Sequence, residues 1–430
     1  MMWRRLGLTA SIALPAMVLR LSGTALSPEL TVLVFGAGVV AAAVLLSWAA
    51  EAAQVDISGS LAIAILALIA VLPEYAVDLY FAYTGGSDPS YVQFASANMT
   101  GSNRLLIGIG WPVVAFVGFW AVRRHRRRGG VEPRPSTVES RPSTVESRPK
   151  LIPGHREPAV VLPARNRVEL AFLAIASAYA FLIPLTRSIA WYDSVVLLAL
   201  FGAYLWRVTR EGRGEPELIG QAADIAQLPR RRRRLLVTGL FLAAAAIVVA
   251  AAKPFADGLV ATGESLHIDQ FLLVQWLAPL SSEAPELIVA TIFAWRLHAD
   301  EGLGMLLSAK VNQWTLLVGS LWVAYSLGGG GGAALPLDNR QTEEFLLTSA
   351  QALLAFAVLA DRRFGLWEAA AIFGLFIVQF PFPTTDVRVV FSIIYIVVAL
   401  GLLVHRRHYL PGVFASIGRW EQQSDEASVT

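Results

Sequence analysis

The chain reads as a succession of long apolar runs separated by short polar connections. Runs of about 20 residues or more, the length at which a helix crosses the hydrocarbon core of a bilayer, occupy 30–53, 58–84, 92–122, 168–187, 189–209, 235–253, 266–296, 303–327, 344–361, 364–382 and 387–405. A weaker run, 6–26, follows Arg4 and Arg5 and is interrupted at Arg20. No clean cleavage site of small residues follows it, so it is read as a retained segment rather than a signal peptide. The pattern predicts an all-α polytopic membrane protein with about twelve transmembrane helices, or eleven if 6–26 does not span.

Composition sharpens this. Of 430 residues, 55% are hydrophobic and 16% charged, with a mean hydropathy of +0.56, far from the balance of a soluble domain. The formal charge of +3 and pI near 9.2 do not point to nucleic acid, because the arginines cluster beside apolar segments, where they orient helices. The absence of cysteine excludes disulfides, thiolate metal sites and thiol nucleophiles. Basic connections around Arg123 and Arg124, Arg230 to Arg234, Arg362 and Arg363, and Arg406 and Arg407 fall on one side of a twelve-span layout. The connections 85–91, 254–265, 328–343 and 383–386, poor in Lys and Arg, fall on the other. Both termini are therefore expected in the cytoplasm, and the plasma (inner) membrane is the expected location.

Residues 124–165, rich in Arg, Pro and Ser with a tandem RPSTVES copy, lack apolar periodicity and are read as a disordered cytoplasmic spacer. The expected division is a first membrane half, 1–123, containing a first repeat at 58–122; this linker; further helices at 166–210; a cytoplasmic loop at 211–234; a second half, 235–410, containing a second repeat at 266–327; and a cytoplasmic tail, 411–430.

The repeats carry the chemistry. Pro73-Glu74 and Pro285-Glu286 interrupt apolar runs 212 residues apart, and Ser96-Ala97 matches Ser308-Ala309 at the same offset. The second Pro-Glu run lies five spans further along the chain, an odd number, so the two cross the membrane in opposite senses. Such inverted repeats build a midplane site from interrupted helices. Proline has no amide hydrogen, so Pro73 and Pro285 release the carbonyls of Ile69 and Ser281, which are costly in hydrocarbon unless something uses them. A bound cation can, and Glu74 and Glu286 add the charge that oxygen-ligated hard cations need. Ser282 shares a helical face with Glu286, and Asp78 lies one turn beyond Glu74.

These segments resemble the paired repeats of the sodium/calcium exchanger (cation/calcium exchanger) family, over about 45 residues in each half. Leu72-Pro73-Glu74 with Ala97-Asn98-Met99-Thr100-Gly101-Ser102-Asn103 fits the first repeat, and Ser281-Ser282-Glu283-Ala284-Pro285-Glu286 the second. The resemblance implies an inverted-repeat 5+5 helix core and a secondary antiporter working by alternating access. Its ions would be Ca2+ or another cation exchanged for Na+ or H+, and its metal ligands Glu74, Glu286, Asn98 and Ser282. Asp78, Ser96, Glu283, Ser308 and Asn312 are further candidates. Partners are then inorganic cations and the lipid bilayer, with no nucleic acid and no resident cofactor.

The chain departs from that pattern. Ala70 and Val71 stand where hydroxyl residues precede the first Pro-Glu step, Lys310 stands at the counterpart of Asn98, and Asn312, Gln313 and Trp314 replace the Gly-Ser-Asn tail. An ammonium at Lys310 is expected to tune the charge of the site: it stands in for a sodium, loads and unloads a proton, or marks a changed substrate. An exchanger-like protein that has lost transport, serving as an interaction or sensor protein, is the alternative function. No HExxH, Walker or dinucleotide motif is present, so metalloenzyme chemistry and direct ATP coupling are set aside. Glu51 and Asp56 are expected at the cytoplasmic interface, and Trp111, Trp191 and Trp314 as interface anchors.

Overall fold

The computed structural model describes residues 2–56, 72–127, 159–210, 218 and 220–418. The first half holds α1 (Met2–Ser22), α2 (Pro28–Ala53), α3 (Leu72–Ser87) and α4 (Val92–Leu105), which passes through a π turn, Leu106–Gly110, into α5 (Trp111–Arg127). After α6 (Arg167–Ala180), the short α7 (Leu182–Thr186), α8 (Trp191–Arg210) and α9 (Gly220–Ala226), the long α10 (Arg230–Ser265) opens the second half. There follow α11 (Gln270–Trp295), then α12 (Ala299–Asn312) joined through a second π turn, Gln313–Leu317, to α13 (Val318–Tyr325). The chain continues with α14 (Asn339–Leu359), α15 (Leu366–Gln379), α16 (Thr385–His405) and α17 (Leu410–Gly418).

Eight helices among the described residues are long and apolar enough to cross a bilayer. Leu72–Ser87, Trp191–Arg210, 299–325 and Leu366–Gln379 fill the remaining expected places. Helix starts are set locally: Ser27 accepts from the Leu30 amide ahead of Pro28, Asp269 from Leu272 and Asp338 from Gln341, each satisfying an amide that the helix cannot.

The two repeats interlock. The Pro-Glu helix of the first, α3, packs on α13 of the second, while the Pro-Glu helix of the second, α11, packs on α4 of the first. Small residues permit the approach. A Cβ at Gly101 on α4 would sit 1.7 Å from the Gln275 carbonyl oxygen of α11, the carbonyl that Pro279 deprives of its helical donor. Outside this core, α10 packs along the alanine- and glycine-rich face of α2, where Gly36 receives the Phe255 ring.

Five expectations need correction. The external connection 254–265 is helical: α10 continues through Pro254 because Phe255, Leu259 and Thr262, spaced three to four apart, stay buried on one face. The linker 124–165 is ordered at both ends, α5 reaching Arg127 and Ala159–Val161 pairing antiparallel with Arg363–Gly365; 128–158 lie outside the described residues, as do 57–71 with Ile69. The loop 211–234 contains α9 and the first turn of α10, and the tail 411–430 begins inside α17. Moreover, α11 remains a continuous helix through Pro279 and Pro285, so the expected interruption there is confined to unpaired carbonyls.

Asp56, beyond the end of α2, receives two hydrogen bonds from Arg233, at 2.7 and 2.9 Å. The guanidinium holds its carboxyl down at about 2, from an ordinary 3.8. This pairing contributes stability above the ordinary carboxylate range, and that contribution is lost as pH falls through about 2. Asp56→Asn is expected to cost ~1 kcal/mol at neutral pH and to flatten stability between those two values, read by thermal unfolding in detergent across a pH series. Gly101→Ala is expected to cost at least ~2 kcal/mol, because backbone rather than a pliable side chain blocks the methyl; unchanged unfolding temperature would contradict the close approach.

Candidate cation site

The centre of the site is a hydroxyl shared by the two repeats. Ser102 on α4 is fully buried, with its Oγ 2.7 Å from Glu74 Oε1 of α3 and hydrogen-bonded to Glu283 Oε1 of α11. Gln313, in the π turn after α12, donates from Nε2 to Glu283 Oε1 at 2.8 Å and to Ser102 Oγ at 3.3 Å. Glu74, Glu283 and Gln313 are all buried. Four helical elements, two from each repeat, thus converge on one polar knot. Each repeat's second helix carries a π turn near it, a distortion frequent at functional positions.

Oxygen atoms remain unused around this knot. Glu283 Oε2 and Gln313 Oε1 are buried without a hydrogen-bond partner among the described residues. Glu286, half-buried on the next turn of α11, accepts no hydrogen bond among them and acts electrostatically on both Glu74 and Glu283. One turn along α3, Asp78 faces Asn98 of α4 closely enough for their side chains to interact; both are completely buried, and neither reaches a partner at ordinary hydrogen-bond geometry. Such orphaned groups at bilayer depth are expensive unless a mobile ion or proton uses them.

Lys310 enters the same region from α12. It is fully buried, donates to Asn103 O at 3.1 Å and to Asn103 Oδ1, and lies 4.9 Å over the Trp314 ring. Glu283 and Glu74 act on it at longer range.

Other expected site residues point elsewhere. Ser282 is buried, but its hydroxyl donates back to Ala278 O and Pro279 O of its own helix. Ser96 likewise donates to Gln93 O. Ser308 turns to Glu169 at 3.5 Å, and Asn312 meets the site only by its carbonyl, which accepts from Tyr75. Trp111 and Trp314 are fully buried rather than interface anchors, since each sits on the inner face of a repeat helix; Trp191 is exposed. Sequence reasoning passed over Ser102, Asn103 and Gln313 as site residues. The signal was present, because Ser102 and Asn103 end the first repeat's matched motif and Gln313 occupies the position 212 residues after Gly101.

A second buried polar cluster flanks the site and is held by ion pairs, although Arg104 Nε has no hydrogen-bond partner among the described residues. Arg104, next to Asn103, meets Glu344 of α14 at 2.6 Å and hydrogen-bonds Gln379 of α15; Arg388 of α16 meets Glu344 and Glu343, each at 2.8 Å. No group of three or more His, Asp or Glu suited to a resident metal occurs among the described residues.

The family described as "Sodium/calcium exchanger protein" matches residues 29–210 and 236–384. Among solved structures, the H+/Ca2+ exchanger CAX is 39% identical, with a TM-score of 0.85 over 97% of this chain and 98% of that one. The Ca2+/H+ antiporter protein YfkE (14% identity, TM-score 0.57, 92% and 99% covered) and the sodium-calcium exchanger NCX_Mj (17%, 0.51, 83% and 98%) share the fold. No curated protein sequence matches. With a profile match over most of its length and a relative this similar along almost all of it, the chain belongs to the sodium/calcium exchanger family.

Proposed function

We propose that the protein is a secondary antiporter that exchanges Ca2+ for protons by alternating access. Glu74, Glu283 and Glu286 hold either the ion or the protons, and Asn98 and Asp78 form the adjoining step of the path. The observation that carries this reading is the Ser102 hydroxyl between two carboxyl oxygens of opposed repeats. A hydroxyl has one hydrogen, so both contacts are satisfied when one of the two glutamates carries a proton. A divalent cation drawn to the same oxygens displaces that proton, which is exchange.

The donor set suits a hard cation that takes six to eight oxygens. It draws on Glu74 and Glu283, Ser102 Oγ and the unused Gln313 Oε1, with Glu286 on the next turn of α11. Similarity to an H+/Ca2+ exchanger over nearly the whole chain favours protons over Na+ as the counter-ion. The basic clusters support a plasma (inner) membrane protein with both termini in the cytoplasm.

Purified protein in liposomes is expected to take up radiolabelled calcium when a pH gradient is imposed. Glu74→Gln and Glu283→Gln should each slow the initial rate by at least ~10-fold. Uptake that is indifferent to the gradient, or that survives both substitutions, would overturn the assignment. Protons and Ca2+ compete for the same oxygens, so the apparent KM for Ca2+ should rise as pH falls, by ~10-fold or more per unit on the acid limb. A KM independent of pH would contradict the competition.

A further inference from the structure

We propose that Lys310 is a tethered cation that fills a second monovalent-cation position beside the site, and so excludes Na+ from the transport cycle. The inference rests on the antiporter reading above and deepens it by fixing which ion class the site refuses.

The first support is the repeat geometry. Lys310 is the counterpart of Asn98, 212 residues earlier. Asn98 is completely buried beside Asp78, with neither side-chain atom closing an ordinary hydrogen bond, so on that side an amide and a carboxylate stand open to a ligand. On the other side the chain supplies the ligand covalently. The Lys310 ammonium is held by Asn103 O and Oδ1 and by the face of Trp314. Asn103 is itself fixed, donating from Nδ2 to Met99 O at 2.8 Å, which turns its amide oxygen toward the ammonium.

The second support is charge. A buried ammonium is costly without neighbouring negative charge, and Lys310 pairs directly with no carboxylate within 4.0 Å among the described residues. Glu283 and Glu74 act on it from farther away. In its ammonium form the side chain offsets part of the charge of the acid cluster, as a bound Na+ would, while leaving the carboxylate oxygens free. Without the ammonium, the space it leaves is walled by Asn103 O and Oδ1 and lies next to an acid cluster short of one positive charge. Oxygen ligands and surplus negative charge are what a hard monovalent cation requires.

The test compares the native protein with Lys310→Asn, which restores the residue of the paired repeat, Lys310→Gln and Lys310→Arg. Two readouts are used: pH-gradient-driven calcium uptake titrated with NaCl against choline chloride, and equilibrium binding of radiolabelled sodium to detergent-purified protein of verified monodispersity. The native protein and Lys310→Arg should bind no sodium in the millimolar range, and their uptake should change by less than ~2-fold with 100 mM NaCl. Lys310→Asn or Lys310→Gln should bind sodium, and NaCl should shift its calcium dependence by ~5-fold or more. Folded Asn and Gln variants that ignore sodium would overturn the proposal, as would sodium binding by the native protein at the same affinity as the variants. If the native protein moves no calcium, the antiporter reading falls, whereas sodium binding still decides the role of Lys310.

Discussion

A carboxylate inside a bilayer needs a proton, a cation or a hydrogen-bond donor, and this fold makes two opposed repeats compete for one such donor. The Ser102 hydroxyl sits between Glu74 of its own repeat and Glu283 of the other, and Glu283 is also reached by Gln313 of its own half, so one hydroxyl links the acids of the two halves. Much of the core serves to bring these groups together. Gly101 removes the side chain that would separate α4 from α11, and Pro279 strips the facing carbonyl of its donor at the same point. The crossed packing of α3 on α13 and α11 on α4 makes the contact a product of both repeats.

Buried charge is treated in two ways within a short distance. Arg104, Glu344, Arg388 and Glu343 are paired arginine to glutamate at 2.6 to 2.8 Å, which ties α4 to α14 and α16. Separating such partners leaves an uncompensated charge, so this cluster resists rearrangement. In the polar region around Ser102, two residues before Arg104, and on the next turn of α3, Glu283, Gln313, Asp78 and Asn98 keep unpartnered atoms. A frame of matched charges beside a chamber of unmatched oxygens is the division a transporter needs between what stays and what exchanges ions.

The sequence made the architecture legible because the bilayer imposes a length on each helix: among the described residues, most apolar runs fall on helical passes. It failed at Pro254, where a break was expected, because the pattern of Phe255, Leu259 and Thr262 against α2 is a tertiary fact that outweighs one proline. The two Pro-Glu steps point to the region of this polar knot but not to all of the groups that form it. Glu283 rather than Glu286 contacts Ser102, and helical phase cannot say which acid faces inward once a π turn shifts the opposing helix. The same shift brings Gln313 inward. Ser282, Ser96 and Ser308 were chosen for residue type and spacing, yet the first two spend their hydroxyls on their own backbone and the third on Glu169, a competition that spacing does not reveal.

The most direct measurement is the anomalous scattering of Sr2+, a heavier stand-in for Ca2+, in crystals of the native protein grown at alkaline pH and then transferred to acid. The account predicts a strontium peak bounded by Glu74, Glu283 and Gln313, with Ser102 no longer bridging the two carboxyls, and loss of the peak on acidification as the bridge returns. A peak elsewhere in the molecule, or one that persists unchanged in acid while Ser102 still joins both glutamates, would contradict it.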